Sequence, residues 1–334
     1  MAKYDNQYDK MTKTPVQQLI VTLAVPTILT MLVTNIYNLV DTAFVGRLGT
    51  SASGAVGVVF GFMSILQAVG FMFGQGSGSM VARKLGGKDK ETASRIASTG
   101  FFSAFSIAVV VAIICFLTLE PLVRVLGSTE TIAPYAIDYI KYILISSPFV
   151  VTSFTLNNIL RYEGKAALGM IGMMTGGVLN IAGDAYFMFK LDMGISGAGL
   201  STALSQIVSF LILISMFVMG KTQTRISLRY VENVSLIIDR LEGRSTALRF
   251  ARPELFPLIV TTGFPSLVRQ ALGSIATIIL NQKAAYFAAD EGVAAMSIVS
   301  RVAFFMFAIS LGIGQGFQPV SAFNYGASKF ARLR

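Results

Sequence analysis

The sequence lacks histidine and tryptophan and has a single cysteine, Cys115, which lies in an apolar run. Without imidazole there is no histidine ligand for a metal and no histidine base, so any proton chemistry depends on carboxylates. One cysteine supports neither an internal disulfide framework nor a thiolate metal site. Charged residues make up only 13% of the chain, against about 25% in a soluble domain. These absences argue against a soluble protein, and with no nucleophile–base pair in the sequence we expect neither enzymatic activity nor a cofactor.

Long apolar blocks recur along nearly the whole sequence. The chain is 54% hydrophobic, and its mean hydropathy is +0.67. Many blocks reach the ~20 residues that a helix needs to cross a bilayer. The sequence therefore predicts an all-α, polytopic membrane protein with eight spans, at about 16–42, 53–81, 93–119, 134–160, 167–189, 194–219, 254–282 and 292–322.

Basic residues indicate the orientation of these spans. Most of those between spans fall on the same side as the N-terminus, and only Arg47, Arg124, Lys190 and Lys283 fall on the other. By the positive-inside rule the N-terminus is cytoplasmic, in a multi-pass protein of the cell membrane. Although the formal net charge is +10, the basic residues form no face with interleaved aromatic residues. We therefore expect the lipid bilayer, not a nucleic acid, as the partner of these charges.

A weak internal repeat suggests how the spans are grouped. Gly74-Gln75-Gly76 recurs as Gly314-Gln315-Gly316, and the same offset relates Gly86 to Gly326. Spans 7 and 8 would then repeat spans 1 and 2 with the same orientation, as in several transporter folds. The predicted organisation is an N-terminal segment, an N-lobe of six helices, a cytoplasmic loop and a partial C-lobe of two helices, at 1–15, 16–219, 220–252 and 253–334.

Two acidic residues lie in or beside apolar blocks. Asp184 lies inside the fifth span and Asn180 is four residues earlier, on the same helix face. Asp41 ends a polar stretch near the outer end of the first span. A charge at the bilayer centre costs roughly 2.5–3.5 kcal/mol, so an intramembrane carboxylate predicts an ion or proton site. The structural alternatives are a buried Asp184 that bonds to backbone or amide groups, and a helix-end role for Asp41.

Other residues could shape a pathway. Pro26 lies in the middle of the first span, where it would bend the helix as a static kink or a hinge. Tyr37, Asn38 and Asn158 are candidates for a substrate cavity, although interhelical hydrogen bonding would also account for such polar groups. Some of the 25 Phe and 15 Met residues would suit flat, cationic ligands if they lined a cavity.

Several segments together resemble the multidrug and toxic compound extrusion (MATE) family, over essentially the whole chain. The similarity is greatest to the bacterial and archaeal DinF-like branch. The segments that carry the resemblance are Val25-Pro26, Tyr37 to Gly46, Gly74-Gln75-Gly76, Ala82 to Gly86, Asn158 to Gly164, Leu179-Asn180-Ile181 with Asp184, and Gly194 to Gly199.

The resemblance implies twelve helices in two lobes around a V-shaped cavity that alternates between the membrane faces. It implies export of cationic or amphipathic compounds in exchange for H⁺ or Na⁺. The matched cation-site residues are Asp41, Asn157, Asn180, Asp184 and Thr202, of which Asp41, Asn180, Asp184 and Thr202 would hold Na⁺. Gly183 and Ala185 flank Asp184, at positions where relatives often have Leu and Pro. Having Gly183 and Ala185 there would loosen the helix locally.

The sequence also departs from the family in length, because the second lobe stops after two helices. A segment that supplies the remaining helices is therefore an expected partner. The favoured interpretation is a cation-coupled multidrug antiporter, or its N-terminal two-thirds. The alternatives are a lipid-linked oligosaccharide flippase, to which Arg269 and Arg301 point, and a non-transporting membrane protein.

Overall fold

The computed structural model describes residues 2–231 and 255–333, and nearly all of them are helical. The α-helices are α1 (Ala2–Lys13), α2 (Val16–Gly46), α3 (Thr50–Gly86), α4 (Lys90–Leu117), α5 (Leu119–Val125), α6 (Ala133–Tyr162), α7 (Ala166–Asp184), α8 (Gly194–Val218) and α9 (Leu255–Gly326). A π-helical turn, Ala185–Lys190, follows α7, and two short 3₁₀ turns occupy Leu228–Tyr230 and Phe330–Arg332. Most of the predicted loop at 220–252 lies outside the described residues.

The predicted fold class is confirmed. Within the described residues, eight helical segments are long and apolar enough to cross a membrane. Helices α2 and α3 extend several residues beyond their predicted ends. Helix α1 was not predicted from the sequence, because it is short and polar and contains no apolar block.

Helix α9 cannot be straight. Its 72 residues would extend about 108 Å as one rod, several times the bilayer thickness. Yet Ser266 donates a hydrogen bond to Gln75 in α3, and Gln315 accepts one from Arg161 in α6. Because α3 and α6 pack against each other, α9 must turn back on itself between these contacts. Its two apolar stretches are the first arm, Leu255–Gly273, and the second arm, Ala303–Gly326.

Glycine contacts show that the internal repeat has a structural counterpart. A β-carbon at Gly76 of α3 would overlap the carbonyl oxygen of Ile259 in the first arm. The repeat-related Gly316, in the second arm, makes the equivalent approach to Ile20 of α2, where a β-carbon would lie 2.8 Å from the carbonyl oxygen. These matched contacts indicate a two-fold arrangement in which α2 and α3 pack against the two arms of α9.

Helix α6 is the centre of the N-lobe. It packs against α3, α4, α7 and α8, and it is the most buried of the membrane-spanning helices. Polar side chains on it are therefore held inside the bundle, away from lipid. Two of them, Tyr139 and Arg161, lie near its opposite ends.

The end of α6 anchors the chain that follows α8. Glu163 is fully buried, and its carboxylate accepts hydrogen bonds from the backbone N–H groups of Gln223, at 2.7 Å, and Thr224, at 3.1 Å. The hydroxyl of Thr224 donates to the same carboxylate. Burial raises the pKa of Glu163 above its ordinary value, although the hydrogen bonds from Thr224 and Gln223 oppose this rise.

This raised pKa predicts a pH-dependent anchor. A carboxyl whose pKa is higher in the folded state contributes stability below its unfolded pKa and loses it as pH rises through the folded value. The wild-type protein should therefore lose thermal stability relative to Glu163→Gln as pH rises above the ordinary carboxyl range. The measurement is the melting temperature of both proteins from about pH 4, near the ordinary pKa of glutamate, upward to about pH 8. If the wild type instead gained stability over the variant with rising pH, the hydrogen bonds would outweigh burial.

Candidate functional site

Two carboxylates from different helices lie inside the bundle. Asp41 is near the C-terminal end of α2, and Asp184 is the last residue of α7. Their exposed fractions are 7% and 0%, and they lie close enough for their charges to interact. The π-helical turn begins directly after Asp184, in line with the loosening expected from Gly183 and Ala185. Such turns occur frequently at functional sites.

Neutral polar groups donate hydrogen bonds to both carboxylates. The side-chain amide of Asn180 donates to Asp184 Oδ1 at 3.4 Å and to Thr202 Oγ1 at 3.1 Å. The Tyr139 hydroxyl donates to Asp41 Oδ2 at 3.4 Å. Asp41, Asn180 and Thr202 line one small pocket, and Asp184 lies near Asp41, so the structure brings these four residues into one cluster, which we call the carboxylate cluster. Tyr139 was missed because a single tyrosine in an apolar span has no distinctive sequence pattern.

Three acceptor oxygens in the carboxylate cluster have no hydrogen-bond donor among the described residues. They are Asp41 Oδ1, Asn180 Oδ1 and Asp184 Oδ2, and all are buried. Buried polar atoms are nearly always paired, so unpaired acceptors suggest that a proton or cation belongs there. No group of three or more His, Cys, Asp or Glu side chains suited to a metal occurs in the described part of the chain. Carboxylate and neutral oxygens are hard ligands, which suit hard cations.

Asn157 does not join the carboxylate cluster. It follows Tyr139 by eighteen residues in α6, which is about 27 Å of helix. Its side chain lies beside Gly169 and lines a larger cavity. Asn158 is fully buried and donates to the carbonyl oxygen of Phe154 at 2.7 Å. It is not one of the cavity-lining residues.

The larger cavity has a volume of about 220 Å³. Its lining includes Tyr37 and Asn38, together with aromatic and methionine side chains such as Phe60 and Met63. These four residues and Thr202 also line a small pocket that contains Asp41 and Asn180. The cavity is therefore adjacent to the carboxylate cluster. Pro26 lies in α2, which continues as a helix through that position.

Two arginines line the same cavity, and sequence reasoning gave them little weight. Arg161 is only 2% exposed and donates to the side-chain oxygens of Asn158 and Gln315. Arg269, in the first arm of α9, is partly exposed. The side chain of Arg301 lies outside the described residues.

Known proteins resemble this chain over most of its length. The multidrug export protein MepA of Staphylococcus saprophyticus is 27% identical over 93% of the chain, which spans 65% of that relative's length. A solved structure of a multidrug resistance MATE family transporter in an outward-facing conformation matches with a TM-score of 0.84 and 28% identity, over 98% of the chain and 68% of that structure. A solved structure of a MOP superfamily transporter from Pyrococcus furiosus matches with the same TM-score, identity and coverage of both chains. The binding pocket of that transporter is described as reversed in polarity.

Multidrug exporters are thus among the proteins that match this chain. A family model adds direct evidence. The MatE model matches residues 26–186 and 265–334, which include Asp41, Asn180 and Asp184. This match covers more than half of the chain, and it agrees with the helical architecture. The protein belongs to the MATE family of multi-span membrane transporters.

Proposed function

We propose that this chain couples the export of amphipathic compounds to the entry of H⁺ or Na⁺, with the coupling ion bound in the carboxylate cluster. The observation that carries the proposal is the set of three buried acceptor oxygens for which residues 2–231 and 255–333 offer no donor, Asp41 Oδ1, Asn180 Oδ1 and Asp184 Oδ2. Leaving such groups unpaired costs about 1–3 kcal/mol each, and more for a charged group. A bound cation would remove that cost.

Each member of the cluster has a distinct role in this proposal. Asp41 and Asp184 supply negative charge, whereas Asn180 and Thr202 supply neutral oxygens. The Thr202 hydroxyl accepts the hydrogen bond from the Asn180 amide through one lone pair, so its second lone pair and its proton remain available to other partners. Asn157 has no direct part in ion binding, since it lies in the larger cavity.

The position of the two cavities suggests how ion and substrate are coupled. Tyr37, Asn38 and Thr202 line both the small pocket of the cluster and the larger cavity. An ion that draws Asn180 and Thr202 inward would therefore reshape the wall against which a substrate packs. Entry of one charge through a 100 mV potential releases ~2.3 kcal/mol, so one ion per cycle provides a useful driving force.

The orientation follows from the basic residues: the N-terminus and the Arg83 end of α3 face the cytoplasm of a cell-membrane protein. At that end a β-carbon on Gly86 would overlap the backbone of the second arm of α9, and one on Gly326 would overlap the carbonyl oxygen of Arg83. In this proposal, such close backbone packing would seal the cytoplasmic end of the cavity. Bending of α2 at Pro26 is the proposed movement that would alter the cluster during the cycle.

Dye efflux from vesicles tests this function. The purified chain is reconstituted, the vesicles are loaded with ethidium, and an inward Na⁺ gradient, an inward H⁺ gradient or no gradient is imposed. We expect one of the gradients to accelerate efflux well above that of protein-free vesicles. Efflux that responded to neither gradient would contradict ion coupling.

A further inference from the structure

A second set of unpaired polar atoms lies at the opposite end of the larger cavity from the carboxylate cluster, and these atoms are donors. Arg161 Nε and Gln315 Nε2 are buried and have no acceptor among the residues that the structure describes. Within the described part of the chain, the Arg161 guanidinium donates to neutral side-chain oxygens, those of Asn158 and Gln315. A buried charge is normally paired with an opposite charge, because neutral partners compensate its lost hydration poorly.

A second positive charge lies near the Arg161 guanidinium and adds to the charge that has no acidic partner in the part of the chain that the structure describes. Arg269 lines the same cavity and is near enough to Arg161 for their like charges to interact. Among the described residues that line the cavity, none is acidic. In the described part of the chain, neither arginine forms a salt bridge. This end of the cavity therefore has an excess of positive charge and of hydrogen-bond donors.

We propose that Arg161 and Arg269 form a subsite for an anionic group of the exported compound, such as a carboxylate, sulfonate or phosphate. This inference rests on the proposed function, because it assumes that the larger cavity holds the substrate. Guanidinium groups suit such oxyanions, since their N–H groups match the spacing of two oxygens. Asn158 and Gln315 hold the Arg161 guanidinium in place before the anion arrives.

The subsite narrows the substrate class. The aromatic and methionine side chains of the cavity, including Phe60, Phe154 and Met63, suit a flat apolar body. A compound with such a body and a free acidic group would satisfy both the walls and the arginines. Aromatic zwitterions should therefore bind better than the corresponding cations, in which the acidic group is masked.

A matched pair of dyes tests this preference. Rhodamine B carries a free carboxylate, and its methyl ester has the same ring system without that charge. Fluorescence anisotropy with the purified chain should show about tenfold tighter binding of the acid, the scale of one charge-assisted hydrogen bond. Arg269→Gln should weaken acid binding about tenfold and leave ester binding unchanged. Arg47→Gln, at an exposed position outside the cavity, should change neither.

Arg269→Gln carries the test because Arg269 is partly exposed, whereas Arg161→Gln would also remove contacts between α6 and the second arm. Arg161→Lys, which keeps the charge and loses the paired geometry, should reduce the acid preference.

Acid binding that is absent, or no tighter than ester binding, would overturn the proposal, as would an equal loss of binding of both dyes in Arg269→Gln. The assay needs no ion gradient, so loss of coupled efflux with retained acid preference would refute only the coupling site.

Discussion

Replacing Asp184 with asparagine is expected to reduce gradient-driven ethidium efflux at least a hundredfold, to the level of protein-free vesicles. Asparagine has nearly the same shape, but it carries no charge and cannot take up a proton. Two unit charges about 4 Å apart interact by about 4 kcal/mol at an effective dielectric constant near 20, which is several hundredfold in ion affinity. The measurement is the initial rate of efflux at a fixed inward Na⁺ or H⁺ gradient.

Asp192→Asn provides the matched control. Asp192 is exposed after the π-helical turn and has a φ of 53°, a conformation that asparagine also adopts readily. The same chemical change at this position should leave efflux unchanged. Coupled efflux that survived Asp184→Asn at the wild-type rate would refute the assignment of the ion site.

The second large effect concerns packing between α3 and the first arm of α9. Gly76→Ala is expected to lower the free energy of unfolding by about 1–3 kcal/mol, because the new methyl group would overlap the carbonyl oxygen of Ile259. The new methyl group is attached directly to the helix backbone, and the atom that it overlaps is a backbone carbonyl oxygen. No change of side-chain rotamer can therefore relieve the overlap. The temperature of half-denaturation can be measured by size-exclusion chromatography of heated samples in detergent.

Gly61→Ala in the same helix separates packing from helix propensity. A β-carbon at Gly61 would meet no atom within 4 Å, and alanine is favoured over glycine in helices by about 1 kcal/mol. This control should be neutral or slightly stabilising. Gly316→Ala, at the position related to Gly76 by the internal repeat, should destabilise in the same direction. Equal stability of the Gly76 and Gly61 variants would show that the close contact does not form.

The sequence predicted the spans well because apolar blocks of bilayer length with few charges are typical of membrane helices. It also predicted the cluster of Asp41, Asn180 and Asp184, since a carboxylate in an apolar block is costly and therefore informative. Thr202 was identified only through the resemblance to the MATE family. The repeat in Gly74-Gln75-Gly76 predicted corresponding helices, although it could not show which backbone groups touch.

Other features depend on the three-dimensional arrangement and left no pattern along the chain. Tyr139 reaches Asp41 from a helix that is distant in sequence. Asn157 matches the family's ion-site motif, but helix length separates it from the carboxylate cluster. Arg161 looked like an ordinary residue at a cytoplasmic helix end, and only its burial and its neutral partners reveal the donor-rich end of the cavity.

The central claim, that an ion occupies the carboxylate cluster, is tested most directly by infrared difference spectroscopy of the purified protein. Spectra are recorded with and without Na⁺, and again across a pH change, for the wild type and for Asp184→Asn. The claim predicts that Na⁺ or H⁺ shifts carboxyl bands in the wild type and that this shift is lost in the variant. Identical difference spectra for the two proteins under every condition would contradict it.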